Sequence, residues 1–312
     1  MLQRIKTSQE WNKFLESRPG GIHGNELLQM REACYRDIEI LRGRPIIVYA
    51  SNFNAPHGSE NSIDLNDVDG FNDLVSSLPD SSSIDVLIHS PGGRPDGTER
   101  IVQVLRGKYE EVHFLIPHSA YSAATMLALS GDSITLHSSA TLGPIDPQIN
   151  GMPARSIKRG FENAKENIIQ KGPEALPAYI PLIEKLSLEL LELCVDSEKL
   201  SKNLVSAWIR EYMFKGKELK KGQIRRAVDF FSDYDKHLIH SRPLNIGRLE
   251  KFGLKIYPAS SELEILLWEA YVNINGFFGA SHFVKLFENP YGVSWGKQFQ
   301  QFIMPQPPPR NN

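Results

Sequence analysis

Two breaks in the chain carry residue types that can act on a carbonyl group. "HSPGG" places Gly92 and Gly93 directly after an apolar run, and "YSAAT" opens an apolar helix with Ser122 followed by the small Ala123. Glycines after a strand bring backbone N–H groups close to a ligand, where they stabilise negative charge that develops in a transition state. A serine hydroxyl is a nucleophile once a base activates it. Taken singly, the glycines also fit an ordinary turn and Ser122 also fits a helix N-cap.

The elements around these breaks predict that both lie at one edge of a sheet. Continuous apolar runs rich in β-branched residues predict four buried strands, at 45–53, 83–90, 111–117 and 133–137. Helical patterns alternate with them, as a mostly parallel sheet requires. The strand before Ser122 directly follows the strand before Gly92, so right-handed crossovers bring the two breaks to the same edge.

The composition is that of an ordinary globular protein with its own core. Of 312 residues, 41% are hydrophobic and 23% are charged, and the formal net charge of −2 gives no sign of a nucleic-acid partner. The N-terminal residues lack the apolar stretch of a signal peptide, and no apolar run predicts a transmembrane segment. We therefore expect a cytoplasmic protein in which Cys34 and Cys194 stay reduced.

Three motifs together resemble a known family. "DVLIHSPGG", "SAATMLALSGDSI" and "LGPIDPQ", in this order, are similar to the serine dehydrogenase proteinase family, which is related to signal peptide peptidase A and the Clp protease proteolytic subunit. The segments "LRGRPIIVYASNF" and "HSRPLNIGRLEKFGL" extend the resemblance over roughly residues 30–258.

The resemblance implies an α/β fold of the ClpP/crotonase type, a spiral of repeated ββα units, with serine peptidase chemistry. Ser122 matches the position of the family nucleophile. The amides of Gly92, Gly93 and Ala123 match the oxyanion donors. A peptide or protein substrate would lie extended alongside a strand.

The resemblance leaves the general base open. Clp-type proteases place a histidine in the region that here reads "SSATLGPIDPQ", which contains none, and His137 comes before this turn. Relatives of signal peptide peptidase A use a lysine instead, for which Lys158 is the nearest candidate, with Lys165 on the same helix face. We therefore expect a Ser-Lys dyad in which Lys158 is the base of Ser122. His118 is a third candidate, and Asp146, between two prolines, can orient a base or contact Ser122 from a neighbouring subunit.

The same comparison predicts the domain organisation. Residues 1–28 form an N-terminal extension, and 29–258 form the peptidase domain, with a helical insertion at about 155–215. Residues 259–303 form a helical and aromatic extension, and the proline-rich 304–312 are expected to be disordered. Family members form rings or stacks, so we expect a homo-oligomer, and a regulatory partner is possible.

Two other functions remain open. A crotonase-like acyl-CoA enzyme would use the backbone amides without needing Ser122, and an inactive scaffold would bind partners through the same fold. His237 and His240 have a spacing that suits a metal, but only Asp233 and Asp235 lie nearby as further ligands. We therefore predict a structural role for both histidines, and no metal or other cofactor.

Overall fold

The structure is a computed structural model that describes residues 3–56, 60–183 and 187–299. Its α-helices are α1 (Ser8–Glu16), α2 (Gly24–Arg42), α3 (Asp67–Ser76), α4 (Pro95–Lys108), α5 (Ala123–Leu129), α6 (Ala154–Lys171), α7 (Leu176–Ile183), α8 (Leu188–Trp208), α9 (Gln223–Ser232), α10 (Tyr234–His237), α11 (Ile246–Leu249) and α12 (Ser261–Gly279). Its strands are β1 (Ile46–Ser51), β2 (Ser83–His89), β3 (Glu111–Ile116), β4 (Ser119–Ala120), β5 (Ser133–Leu136), β6 (Thr141–Leu142), β7 (Gln148–Ile149), β8 (Met152–Pro153), β9 (Ile256–Pro258), β10 (Phe283–Glu288) and β11 (Ser294–Gln298).

One large, mostly parallel sheet organises the molecule. Its strand order is β11-β10-β1-β2-β3-β5-β9, with β1, β2, β3, β5 and β9 parallel and the hairpin of β10 and β11 antiparallel. The short strands β4 and β6 follow β3 and β5 and pair with each other in a second, smaller sheet. Two strands and a helix therefore repeat along the chain, which confirms the predicted α/β class with ββα units.

Both faces of the large sheet are buried, because the side chains of each strand alternate between two apolar cores. Along β1, Ile47 and Tyr49 belong to the core formed with α3, α4, α5, α8 and α9. Ile46 and Val48 belong to the core formed with α1, α2 and α12. A continuous apolar run is therefore what β1 requires, and this is the pattern that predicted it.

The segment predicted to be helical, about 155–215, contains α6, α7 and α8 and a π-helical turn at Ile209–Met213. Helices α6 and α8 pack against each other, with Ile157 and Cys194 in a small core between them. Cys34 and Cys194 are both buried and unpaired with each other. Among the residues that the structure describes, no helix has the length and apolar character needed to cross a membrane.

The C-terminal region contributes more to the sheet than its sequence indicated. The expected helix is present as α12, but residues 283–298 also form β10 and β11, and β10 pairs with β1. These two strands were not predicted. The proline-rich tail at 304–312 lies outside the described residues.

Candidate active site

Ser122 lies at a sharp turn between β4 and α5. Its backbone has φ 52° and ψ −121°, and residues other than glycine rarely adopt such a positive φ. The neighbouring residues fix this turn: the N–H of Tyr121 donates to the carbonyl of Ser90 (3.0 Å), and the N–H of Met126 donates to the carbonyl of Ser122 (3.0 Å). The side chain of Ser122 is half-buried, and it makes no hydrogen bond with any described residue.

The glycine loop packs directly against this turn. Gly92 has φ 98°, and a Cβ atom added to it would lie 2.7 Å from the Cβ of Ser122 and 2.8 Å from the amide nitrogen of Ala123. Glycine is required here for two reasons, the positive φ and the absence of room for any side chain. The structure therefore brings the two breaks predicted from the sequence to one place.

Two backbone N–H groups at this junction have no acceptor among the described residues. They belong to Gly93, which is half-buried, and to Ala123, the first residue of α5. The N–H of Gly92, in contrast, donates to the Oγ of Ser90 (3.2 Å). Of the three predicted donors, Gly93 and Ala123 are therefore the two whose N–H groups have no acceptor among the described residues, and Gly92 lets the glycine loop approach the Ser122 turn.

The loop after β6 forms a second wall of the Ser122 turn. Leu142 pairs in parallel with Ala120, just before the turn. The N–H of Gly143 donates to the Oγ1 of Thr125 (2.9 Å), and this hydroxyl donates to the carbonyl of Ala120 (2.7 Å). The "LGPIDPQ" motif is therefore tied to the first turn of α5 through a buried threonine.

His118 lies on the α12 side of this junction. Its Nδ1 is 2.8 Å from the Oγ of Ser119, and its ring stacks on Tyr271 with the ring centroids 4.4 Å apart. Burial lowers the pKa of His118, and the charge of His137 lowers it further. These contacts explain His118 as part of an aromatic cluster; it makes no hydrogen bond to Ser122.

Lys158 lies on α6, where its Nζ is 2.7 Å from a carboxylate oxygen of Glu198 on α8. A general base must lie within hydrogen-bond reach of the proton that it accepts. Lys158 makes no hydrogen bond to Ser122 among the described residues, so this structure gives it a clear partner other than the serine.

Asp146 is paired with His240, a histidine for which the sequence predicted only a structural role. Its buried carboxylate accepts from Gln148 (2.9 Å) and lies 2.9 Å from the Nδ1 of His240. The ring of His240 is partly exposed, and its Nε2 makes no hydrogen bond among the described residues. His237, by comparison, is buried and bonded to the carbonyl of Phe230 (2.6 Å), which is the structural role expected of it.

The segments that carry Asp146 and His240 are connected to the Ser122 turn through backbone pairing. Leu142 exchanges two backbone hydrogen bonds with Leu244 (3.1 and 2.9 Å) and pairs with Ala120 on its other side. One segment, that of Leu142, therefore lies between the segment that carries His240 and the Ser122 turn. The sequence contained part of this information. Asp146 is an isolated acidic residue between two prolines, and His240 lies four residues before Leu244, which pairs with Leu142.

In the part of the chain that the structure describes, no three His, Cys, Asp or Glu side chains are grouped so as to hold a metal ion. The Ser122 turn offers a hydroxyl and backbone N–H groups, and an imidazole–carboxylate pair lies on segments connected to this turn by backbone pairing. They suit acyl transfer by an activated serine.

Comparison with other proteins yields curated relatives that are named as uncharacterized, and a set of similar solved structures. The uncharacterized protein MJ1495 of Methanocaldococcus jannaschii is 28% identical over 233 residues, which cover 73% of this chain and 72% of that protein. The uncharacterized protein MJ0137 of the same organism is 36% identical over 88 residues, 28% of this chain and 31% of that protein.

The solved structures are similar at a low level. The ClpP protease catalytic domain from Plasmodium falciparum aligns with a TM-score of 0.39 and 12% identity, over 72% of this chain and 92% of that one. A mutant of 1510-N, a membrane-bound stomatin-specific protease, aligns with a TM-score of 0.38 and 17% identity, over 65% of this chain and 77% of that one.

The match to a protein family is more extensive. The family described as ClpP-like SDH-type serine proteinase matches residues 22–226, which include the glycine loop, the Ser122 turn and Asp146. The chain therefore belongs to the family of ClpP-like SDH-type serine proteinases.

Proposed function

We propose that this protein hydrolyses peptide bonds with Ser122 as the nucleophile and the N–H groups of Gly93 and Ala123 as the oxyanion donors. Membership of a serine proteinase family supports the reaction class. The observation that carries the assignment of residues is the backbone of Ser122, held at φ 52° against a Gly92 that leaves no room for a side chain. Such strained conformations persist where the surrounding structure enforces them, and they are concentrated at active sites.

The glycine loop also supplies a place for an extended substrate. Ile63 forms a parallel bridge with Gly93 by bonding to the carbonyl of Gly92 (2.7 Å) and the N–H of Arg94 (2.8 Å). In such a bridge the N–H and C=O of the central residue point to the opposite side. A peptide can pair there with Gly93 while its scissile carbonyl approaches Ser122.

For the general base, we place His240 ahead of Lys158. An imidazole whose Nδ1 faces a buried carboxylate is held in one orientation, with Nε2 left to accept a proton, and Asp146 stabilises the imidazolium that results. Lys158 stays a candidate, because its ion pair with Glu198 would have to open before the lysine could act.

The mechanism follows from these groups. Nε2 of His240 takes the hydroxyl proton as the oxygen of Ser122 attacks the carbonyl carbon, and the two amides hold the oxyanion. The proton passes to the leaving amine, and water then repeats the sequence to release the acid from the acyl-serine.

The experiment is labelling of the folded protein with a fluorophosphonate probe. We expect labelling of the wild-type protein at Ser122, located by peptide mass spectrometry, and none in Ser122→Ala. Ser119→Ala is the matched control, because Ser119 lies three residues away on the same segment, and it should retain labelling.

The outcomes separate the three functions that the sequence left open. Absence of labelling in a folded wild-type protein would contradict the peptidase and favour a scaffold. Labelling that survives in Ser122→Ala would place the nucleophile elsewhere. An acyl-CoA activity that is unchanged in Ser122→Ala would favour the crotonase-like reaction, which needs the amides alone.

A further inference from the structure

Two lysines of the C-terminal hairpin reach a pair of aspartates beneath the glycine loop. The side chain of Lys285, on β10, is fully buried, and its Nζ lies 2.8 and 2.9 Å from the two carboxylate oxygens of Asp67 and 3.2 Å from Asp64. Lys297, on β11, lies 3.4 Å from both carboxylate oxygens of Asp64. The carboxylate of Glu60, largely exposed, lies 3.7 Å from Lys297 as well, so the two ammonium groups are the positive partners of three carboxylates, and removal of either leaves a buried or half-buried aspartate less well compensated.

The aspartates are fixed further by neutral contacts. The carboxylate of Asp67 accepts from the hydroxyl of Tyr49 (2.9 Å) and from the N–H of Asp64 (3.1 Å). Burial acts to raise the pKa of Asp64, but the charges of Lys285 and Lys297 outweigh it and hold that pKa below its usual value. Asp64 is therefore ionised and bound in place, rather than a freely moving surface carboxylate.

Asp64 is joined to the oxyanion loop through one residue. Ile63, its neighbour, forms both backbone hydrogen bonds with Gly92 and Arg94. Gly93 lies so close to the backbone of Ile63 that an added Cβ would collide with it. The position of segment 63–64 thus determines where the free N–H of Gly93 points.

We propose that Lys285 and Lys297 are positioning residues for the oxyanion site, acting through Asp64 and Ile63 on the N–H of Gly93. The hairpin at 283–298 is then part of the catalytic unit, although it lies outside the 22–226 that match the family. This inference rests on the proposed function of Ser122.

The test compares Lys297→Met with Lys297→Arg. The side chain of Lys297 is 17% exposed, so its charge can be removed without creating a cavity at the centre of the core. The measurements are the maximal rate constant of phosphonylation by a fluorophosphonate, the probe concentration that gives half this rate, and the urea midpoint of unfolding. The phosphonyl oxygen of the probe occupies the oxyanion site, whereas its alkyl chain does not.

We expect Lys297→Met to lower the maximal rate constant about tenfold, less than the loss of a whole oxyanion donor, because the N–H of Gly93 is displaced and not removed. The half-saturating probe concentration should stay within experimental error of wild type, and Lys297→Arg should restore the rate. Lys13→Met, at an exposed position on α1, is the control for loss of a lysine charge and should match wild type. Asp64→Asn, which removes the partner charge, should reproduce the loss.

A folded Lys297→Met protein that reacts at the wild-type rate would overturn the positioning role while leaving the nucleophile intact. The same conclusion follows if Lys297→Met lowers the rate only by unfolding, with Asp64→Asn folded and fully reactive. A wild-type protein that is not labelled at all would overturn the proposed function, and this inference with it.

Discussion

At the scale of single residues, the backbone of Ser122 is strained, and hydrogen bonds of neighbouring residues hold it in place. A residue other than glycine in such a sparsely populated backbone region costs about 1–3 kcal/mol. Buried hydrogen bonds around the turn offset that cost: Thr125 links Ala120 to Gly143, and Ser90 bonds to Tyr121. The result is a half-buried hydroxyl at a junction where the N–H groups of Gly93 and Ala123 have no acceptor in the described part of the chain.

The base can be identified by paired substitutions. We expect His240→Gln to lower the rate of Ser122 phosphonylation by about 10²–10⁴-fold, the contribution typical of general acid–base catalysis, because glutamine cannot accept the hydroxyl proton. Lys158→Met should leave the rate near that of wild type, since Lys158 is paired with Glu198 between helices α6 and α8 and makes no hydrogen bond to Ser122.

Asp146→Asn belongs to the same experiment and should lower the rate as well, by leaving the imidazole without its carboxylate. His237→Gln is unsuitable as a control, since this ring is buried, so His23→Gln, at an exposed position, is used instead. A large loss with Lys158→Met and none with His240→Gln would assign the base to the lysine.

At the scale of elements, the carboxyl ends of three neighbouring strands carry histidines that α12 covers. His89 ends β2, His118 follows β3 and His137 follows β5, and they contact the rings of Trp268 and Tyr271. His89 is the most deeply buried of the three. Burial, reinforced by the charge of His118, lowers the pKa of His89 to about 3.

This depressed pKa makes the stability of the fold dependent on pH. The unfolded chain binds a proton at His89 near its ordinary pKa, while the folded chain does so only near 3, so stability falls as the pH drops below about 6.5. The contribution of His89 is fully present at neutral pH. At pH 5 we expect a loss of about 2 kcal/mol from this residue alone.

The measurement is urea unfolding of wild type and His89→Leu at pH 7 and pH 5. The variant should lose less stability between the two pH values than wild type, because leucine does not titrate. His23→Gln, which alters an exposed histidine, should follow wild type. Equal losses in wild type and His89→Leu would show that His89 does not carry this dependence.

The elements also show how far the sequence predicts the fold. The strands β1, β2, β3 and β5 were predicted because a strand buried on both faces must be apolar throughout. The strand β10 was missed because Lys285 and Glu288 interrupt its apolar run, and charged residues are typical of solvent. Their partners are Asp67 and Arg31, more than 200 positions away in the chain, so no local pattern reveals the compensation.

As with the fold, one part of the candidate site could be predicted from the sequence and another part could not. Convergence of the glycine loop and the Ser122 turn follows from strand order, and the structure brings them together. The contact of Asp146 with His240 depends on how the loop after β6 meets a segment 94 residues later, which no spacing rule determines. The general base is for the same reason the part of the mechanism that the sequence left open.

At the scale of the whole molecule, the helical segment extends an apolar surface that no described part of the chain covers. Leu193 and Leu200 lie seven residues apart on α8, hence on one face, and are 50% and 44% exposed. Ile169 on α6 and Ile180 on α7 are exposed as well. Clustered exposed apolar residues mark sites of association, in line with the expected homo-oligomer.

Association through α8 can be tested by mass in solution. We expect the wild-type protein to exceed the monomer mass of 35.2 kDa in light scattering after size-exclusion chromatography. Leu193→Glu combined with Leu200→Glu should move it toward that mass, because charges at an apolar contact remain unpaired. Ile265→Glu, on the exposed face of α12, should leave the mass unchanged. A monomeric wild-type protein, or an unchanged double variant, would contradict association through this face.

The antiparallel pairing of β10 with β1 bears on when the large sheet is completed during synthesis of the chain. Ribosomes make β1 early, yet this strand acquires its second neighbour only after residue 288 has been translated. Until then an emerging chain exposes an unpaired strand edge, and it lacks the ammonium groups that neutralise Asp64 and Asp67. A growing polypeptide therefore completes this sheet edge, and the charge partners of both aspartates, only once the C-terminal hairpin has emerged.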